Sequence, residues 1–127
     1  MQKMEEKRKF IRLGIPVGLK YIVEGDSVRK DVITKDLSCE GLRFVSEDDI
    51  KEGSRLEMNL EIPEASNPVH INGKVAWTKR LSTEDKSPFE VGIEFTEIEE
   101  DNKNTFLKYI CDLIYNQTKM MGRGKGE

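Results

Sequence analysis

The chain is poor in the residues that build metal and thiol chemistry. It has 2 cysteines and 1 histidine in 127 residues. Cys39 and Cys111 stand far apart and in no metal-ligand spacing, so neither a zinc site nor a disulfide framework is indicated, and both are read as reduced thiols. Long apolar runs are missing too. No stretch approaches a membrane span, and the opening MQKMEEKRKF lacks the apolar centre of a signal peptide. The expected setting is cytoplasmic, without membrane insertion. Positive charge is not in excess either, since the net charge is −3. That excludes a protein that grips nucleic acid by neutralising phosphates over a broad surface, and no aromatics are arrayed beside basic residues on polar strand faces for single strands to stack on. Finally, no nucleophile is paired with a base, and no Gly-rich phosphate loop is present. His70 is isolated on a polar strand face. The chain is therefore read as a non-enzyme, with no catalytic residue, no metal and no cofactor.

What is present is patterned. At this length one domain is expected, and 36% hydrophobic against 35% charged residues is lean but globular, because the apolar residues are concentrated in periodic runs. VGLKYIVE after Pro16 alternates Val17, Leu19, Tyr21 and Val23. A more polar strand follows around Val32 and Ile33, and LRFVS from Leu42 is a third. RLEMNLEI places Leu56, Met58, Leu60 and Ile62 on one face without a fault. VHINGKVAW puts Val69, Ile71, Val75 and Trp77 inward with His70, Asn72 and Lys74 outward, and FEVGIEF repeats the alternation with Phe89, Val91, Ile93 and Phe95. Short strands separated by turn signals predict a mainly β chain, a six-stranded antiparallel barrel whose closure removes exposed edges.

From Asp101 the period changes to that of an amphipathic helix, with Phe106, Leu107, Ile110, Leu113 and Ile114 as its stripe. Asp101 or Asn102 can cap its start and Gly122 can end it. The expected division is an N-terminal arm over 1–14, flexible and basic, then the barrel and helix over 15–119, then a disordered tail over 120–127. Packing of the stripe on the barrel gives a monomer. Tyr109 and Tyr115 beside it keep a homodimer seam open.

Two short stretches carry the functional signal. The arm holds Lys3, Lys7, Arg8, Lys9 and Arg12 against Glu5 and Glu6 on an otherwise acidic protein, which suits a small anionic ligand or a solvated tail. Arg8 and Arg12 are spaced so that both helix and strand return them to one face. Further on, DLSCEG presents Asp36 and Ser38 to one side of an extended chain while Leu37 turns to the core. Gly41 then allows a positive φ or a close approach where a Cβ would clash.

RKFIR followed by DLSCEG resembles the RxxxR and [D/N]xSxxG pair of PilZ domains, bacterial receptors for cyclic di-GMP, and GKVAW and VGIEF resemble strands of that family. In a chain of this composition RxxxR is expected by chance roughly 0.4 times, the second motif roughly 0.06 times and both roughly 0.02 times. The pair and its order, not either motif alone, carry the resemblance. It covers nearly the whole chain and implies the fold already read from the periodicity.

The resemblance also implies cyclic di-GMP as the ligand and Arg8, Arg12, Asp36, Ser38 and Gly41 as its site. A guanidinium engages guanine O6 and N7, or phosphate oxygens, with a pair of donors, and its plane stacks on a purine. Asp36 is expected to accept from the guanine N1–H and N2–H, and Ser38 to bond a phosphate or an amine. Lys7, just before the first arginine, and Trp77, should it reach the barrel mouth rather than the core, are further ligand-binding candidates. The implied role is a receptor and adaptor that signals to an unidentified effector protein in motility, biofilm or exopolysaccharide control. The alternative is an interaction module of the same fold that works without nucleotide.

Overall fold

The computed structural model describes residues 12–126 apart from 64, 85 and 86, with the backbone alone at 101 and 117–126. Among the described residues the elements are β1 (Gly18–Val23), β2 (Lys30–Leu37), β3 (Gly41–Ser46), β4 (Arg55–Glu61), β5 (Val69–Arg80), β6 (Phe89–Ile98) and α1 (Glu100–Gly126). The strands form a closed barrel in the order β1-β2-β3-β6-β5-β4, every neighbouring pair antiparallel, with β1 against β4 completing the ring. The expected six-stranded antiparallel barrel with a C-terminal helix is borne out. No helix among the described residues is long and apolar enough to cross a membrane.

Alternation explains the core. β4 sends Leu56, Met58 and Leu60 inward, and β1 sends Leu19 and Tyr21 to meet Leu42 and Phe44 of β3, all of them buried. The Tyr21 and Phe44 rings lie 5.0 Å apart between centroids. Burial pushes the Tyr21 hydroxyl up from its ordinary pKa, against a smaller opposing effect of its hydrogen bond with Ser46.

Two of the register breaks, on β2 and β5, are bulges in which one extra residue re-aims its neighbours. On β2, Thr34 faces Phe44 and Asp36 faces Arg43, so Lys35 is the extra residue. On β5, Val75 faces Ile93 and Trp77 faces Gly92, so Ala76 is extra. The second bulge corrects the expectation for Trp77. Strict alternation would have carried it inward after Val75, but the inserted Ala76 leaves it beside the outward Gly92, half-buried and outside the core.

α1 closes one side of the barrel. Phe106 and Ile110 are fully buried, Leu113 and Ile114 pack partly against the core, and Leu107 lies at the stripe's edge with 38% exposure. The Phe106 ring meets Phe95 of β6 edge-on at 5.7 Å. Asn102 does not act as a simple cap. Its side-chain oxygen accepts from the backbone N–H of His70 at 2.8 Å and so ties the first turn to β5, while its own N–H donates to the carbonyl of Glu99. The helix also continues past Gly122 to Gly126.

The helix is thus held mainly by Phe106 and Ile110. Phe106→Ala should cost about 3–5 kcal/mol by opening a cavity, whereas Leu107→Ala should cost under about 1 kcal/mol. Urea unfolding of the two variants checks this, and equal losses would contradict the assigned packing.

Candidate functional site

The N-terminal segment reaches the barrel as an added strand fragment. Leu13 and Leu37 exchange backbone hydrogen bonds of 2.8 and 2.9 Å, and the Leu13 side chain is fully buried. Thr34 secures the following turn, since its hydroxyl accepts from Val17 N–H and donates to the Ile15 carbonyl, both at 2.9 Å. Because Leu13 points into the core, Arg12 must point out, on the face that Asp36 occupies. Lys7 and Arg8 lie outside the described residues.

The bulge at Lys35 places Lys35 and Asp36 side by side on the outer face of β2, while Thr34 and Leu37 turn inward. Asp36, though outward, is only 5% exposed. A buried carboxylate is costly unless cations and hydrogen bonds meet it. Arg43, opposite it on β3, donates from Nε to Oδ2 at 2.8 Å, and its Nη2 forms an ion pair with the same oxygen at 2.6 Å. Arg12 donates from Nη1 to Oδ1 at 3.1 Å. The chain of charges continues, because Arg43 Nη1 reaches Glu90 Oε2 at 3.2 Å and Lys35 Nζ reaches the same oxygen at 2.9 Å.

Two members of this row, Glu90 and Arg43, are shifted from their ordinary values. The hydrogen bond from Lys35 holds the Glu90 carboxyl below its ordinary pKa, with the charge of Arg43 adding to it and partial burial opposing. The bond to Asp36 raises the Arg43 guanidinium further above its usual value. Removing one cation leaves a nearly buried carboxylate under-compensated, at a cost below the about 3–5 kcal/mol of a fully buried pair because the cations themselves are partly exposed to screening solvent.

Residues 38–41 form the turn into β3. Ser38 is buried, its backbone N–H donates to the Gly41 carbonyl at 2.9 Å, and its hydroxyl accepts from Glu40 N–H at 3.2 Å and donates to the Gly41 carbonyl at 3.3 Å. Here Ser38 shapes the turn rather than presenting a hydroxyl outward. Gly41 is required by a close approach: a Cβ would sit against the carbonyl oxygen of Ile93 on β6. Its φ is not positive, unlike those of Gly25 and Gly53. Cys39, between them, is partly buried, which pushes its thiol pKa up and favours the unreactive protonated form.

Beside the turn lies an open cavity of about 200 Å³ lined by Arg12, Glu40, Gly41, Trp77, Gly92 and Glu94. Trp77 lies directly over Gly92, so closely that a Cβ there would strike the indole. Arg12, Asp36, Gly41 and Trp77 are therefore brought together, although they come from four separate segments. Ser38 supports them from below.

Arg43 and Glu90 were not picked out by their sequence context, in which LRFVS and FEVGIEF read as plain strands. A signal for Arg43 existed. Folding the hairpin about 38–41 sets it across from Asp36 as an opposite-charge cross-strand pair. Glu90 has no such local signal, because its partners come from β2 and β3.

A family model described as PilZ domain matches residues 6–111. No curated protein matches the sequence. Among solved structures the chain is similar to the inhibitor of motility MotI/DgrA of Bacillus subtilis, with a TM-score of 0.69 at 16% identity over 87% of this chain and 53% of that one. It is similar to the PilZ domain of YcgR from Escherichia coli, solved with c-di-GMP, at TM-score 0.66 and 12% identity over 91% and 98% of the two chains. A third similarity is to the K. pneumonia MrkH–c-di-GMP complex, at TM-score 0.63 and 12% identity over 91% and 56%. The chain thus spans about half the length of the MotI and MrkH chains. At these identities the likeness concerns the fold.

Two measurements check the geometry. Glu90 has a folded pKa below its ordinary 4.5, so its contribution to stability is complete above that value and is lost as pH falls through the lowered one. Glu90→Gln should therefore be less stable than the wild type at about pH 7, with the gap closing as pH falls below the ordinary carboxyl range; a gap that does not change with pH would refute the pairing. Gly92→Ala should lift the indole off β6 and move the emission of the single tryptophan to longer wavelength, and an unshifted spectrum would show that Trp77 does not lie there.

Proposed function

The chain belongs to the PilZ domain family, and on that premise we propose that it is a receptor for cyclic di-GMP whose N-terminal arm closes on the nucleotide. The observation that carries the reading is the Arg12 guanidinium, tied to Asp36 on the barrel and lining a cavity walled by Trp77 and Gly92. A cyclic guanine dinucleotide offers purine planes, purine O6 and N7 acceptors and two phosphates. Arg12 supplies a planar fork for the acceptors, and the indole supplies a surface on which a purine stacks. Arg8 and Lys7 then come over the ligand from the arm, adding charge for the phosphates.

Within this reading Asp36 has a different weight from the one its residue type suggests. Both of its oxygens are engaged by arginines, so it acts first as the anchor of the cationic pair, and a guanine edge reaches it at Oδ1 in competition with Arg12. Ser38 and Gly41 contribute by holding the turn and admitting β6. The output is a change in the arm's contacts with an effector protein in motility, biofilm or exopolysaccharide control, and the likeness to an inhibitor of motility supports the first of these.

Calorimetric titration of cyclic di-GMP into the full chain tests the proposal. The wild type should give saturable heat, and Arg12→Ala or Arg8→Ala should lose on the order of 1–3 kcal/mol, about tenfold to a hundredfold in affinity. No heat from the folded wild type would overturn the receptor reading in favour of a nucleotide-independent interaction module.

A further inference from the structure

Arg12 carries its donors in a fixed fork, and the strongest arrangement of such a fork with a carboxylate uses two parallel bonds to both oxygens. The structure does not show that arrangement. One bond ties Arg12 to Asp36, from Nη1 to Oδ1 at 3.1 Å, so its Nε and Nη2 are not engaged by that carboxylate. The reason lies in Arg43. Its Nε donates to Oδ2 at 2.8 Å and its Nη2 pairs with the same oxygen at 2.6 Å, so that oxygen is already occupied by one guanidinium.

Arg43 is itself fixed from behind. Its remaining terminal nitrogen donates to Glu90 at 3.2 Å, and Lys35 meets the same Glu90 oxygen at 2.9 Å. Both carboxylates are nearly buried, with side-chain exposures of 8% for Asp36 and 6% for Glu90. The guanidinium plane of Arg43 thus spans two buried acidic groups on β2 and β6, and neither can turn toward solvent to release it.

From this we infer that Arg43, which lies in neither motif, is a positioning residue for the ligand site: by occupying Asp36 Oδ2 it keeps Arg12 on a single bond with its fork turned to the cavity. The inference rests on the receptor reading for its functional consequence, but its structural half stands without a ligand. If Arg43 is removed, the buried carboxylate has one cation left, and Arg12 swings onto both oxygens as a fork–fork pair. The donors that would meet a guanine or a phosphate are then used up internally. Lysine at this position does not restore the arrangement, because one ammonium cannot direct two donors at Oδ2 along the guanidinium geometry and also hold Glu90.

The test combines cyclic di-GMP titration with the Nε–H signal of Arg12 in ligand-free, 15N-labelled protein, for the wild type, Arg43→Gln, Arg43→Lys and the double variant Arg43→Gln with Glu90→Gln. The double variant removes the stranded charge of Glu90 and keeps the barrel folded if the single glutamine variant fails. We expect the variants to bind at least about tenfold more weakly, as the loss of one bidentate contact implies, and the Arg12 Nε–H proton to move downfield as it bonds to Asp36. A purely structural role would lower the melting temperature and leave that proton where it is. Wild-type affinity in the glutamine variants, full rescue by lysine, or an unmoved Arg12 signal would each overturn the inference. Should the wild type itself give no heat, the receptor reading alone falls, and the Arg12 signal decides the positioning role.

Discussion

A nearly buried carboxylate organises the candidate site of this protein. Asp36 is nearly inaccessible, and its desolvation must be offset by cations brought to it from elsewhere in the chain. Arg43 comes across the hairpin and Arg12 comes from the segment preceding β1. Each arginine is thereby fixed in direction as well as in charge. The rest of the site follows from that requirement, since Glu90 and Lys35 are needed to hold Arg43 and to balance it.

The barrel supplies the frame in which such a row can form. A closed antiparallel ring leaves no unpaired edge, so irregularity is confined to bulges, and each of the two near the candidate site redirects one of its side chains. The extra Lys35 lets two adjacent residues of β2 share the outer face, and the extra Ala76 turns Trp77 out over Gly92. Small residues at Gly41 and Gly92 then let β6 and the indole come close. The Leu13–Leu37 bridge is as important, because without a buried leucine to fix its register the segment bearing Arg12 would have no defined face.

Much of this was legible in the sequence. Period-two alternation in RLEMNLEI and VGLKYIVE marks core strands because a barrel has one dry face and one wet face. The change of period after Asp101 marks α1, and Phe106 and Ile110 lie where the stripe puts them. Arg12, Asp36 and Gly41 could be singled out because their spacing puts them on common faces or at a turn. Trp77 was misplaced for a physical reason: a bulge is a cross-strand event, and alternation within β5 alone cannot register an inserted Ala76. Asn102 reads as a cap by type, and only the nearness of β5 explains why it bonds His70 instead.

The sequence by itself determined the number and phase of the strands, the apolar stripe of the helix and the family motifs, because these depend on local periodicity and on residue type at fixed spacing. Tertiary structure alone decided that Asp36 is occupied rather than open, that Glu90 is linked to it through Arg43, and that Trp77 faces outward. Those outcomes depend on distances between segments remote in sequence and on which polar groups closure shuts away from water. No linear pattern encodes either until the ring of strands is formed.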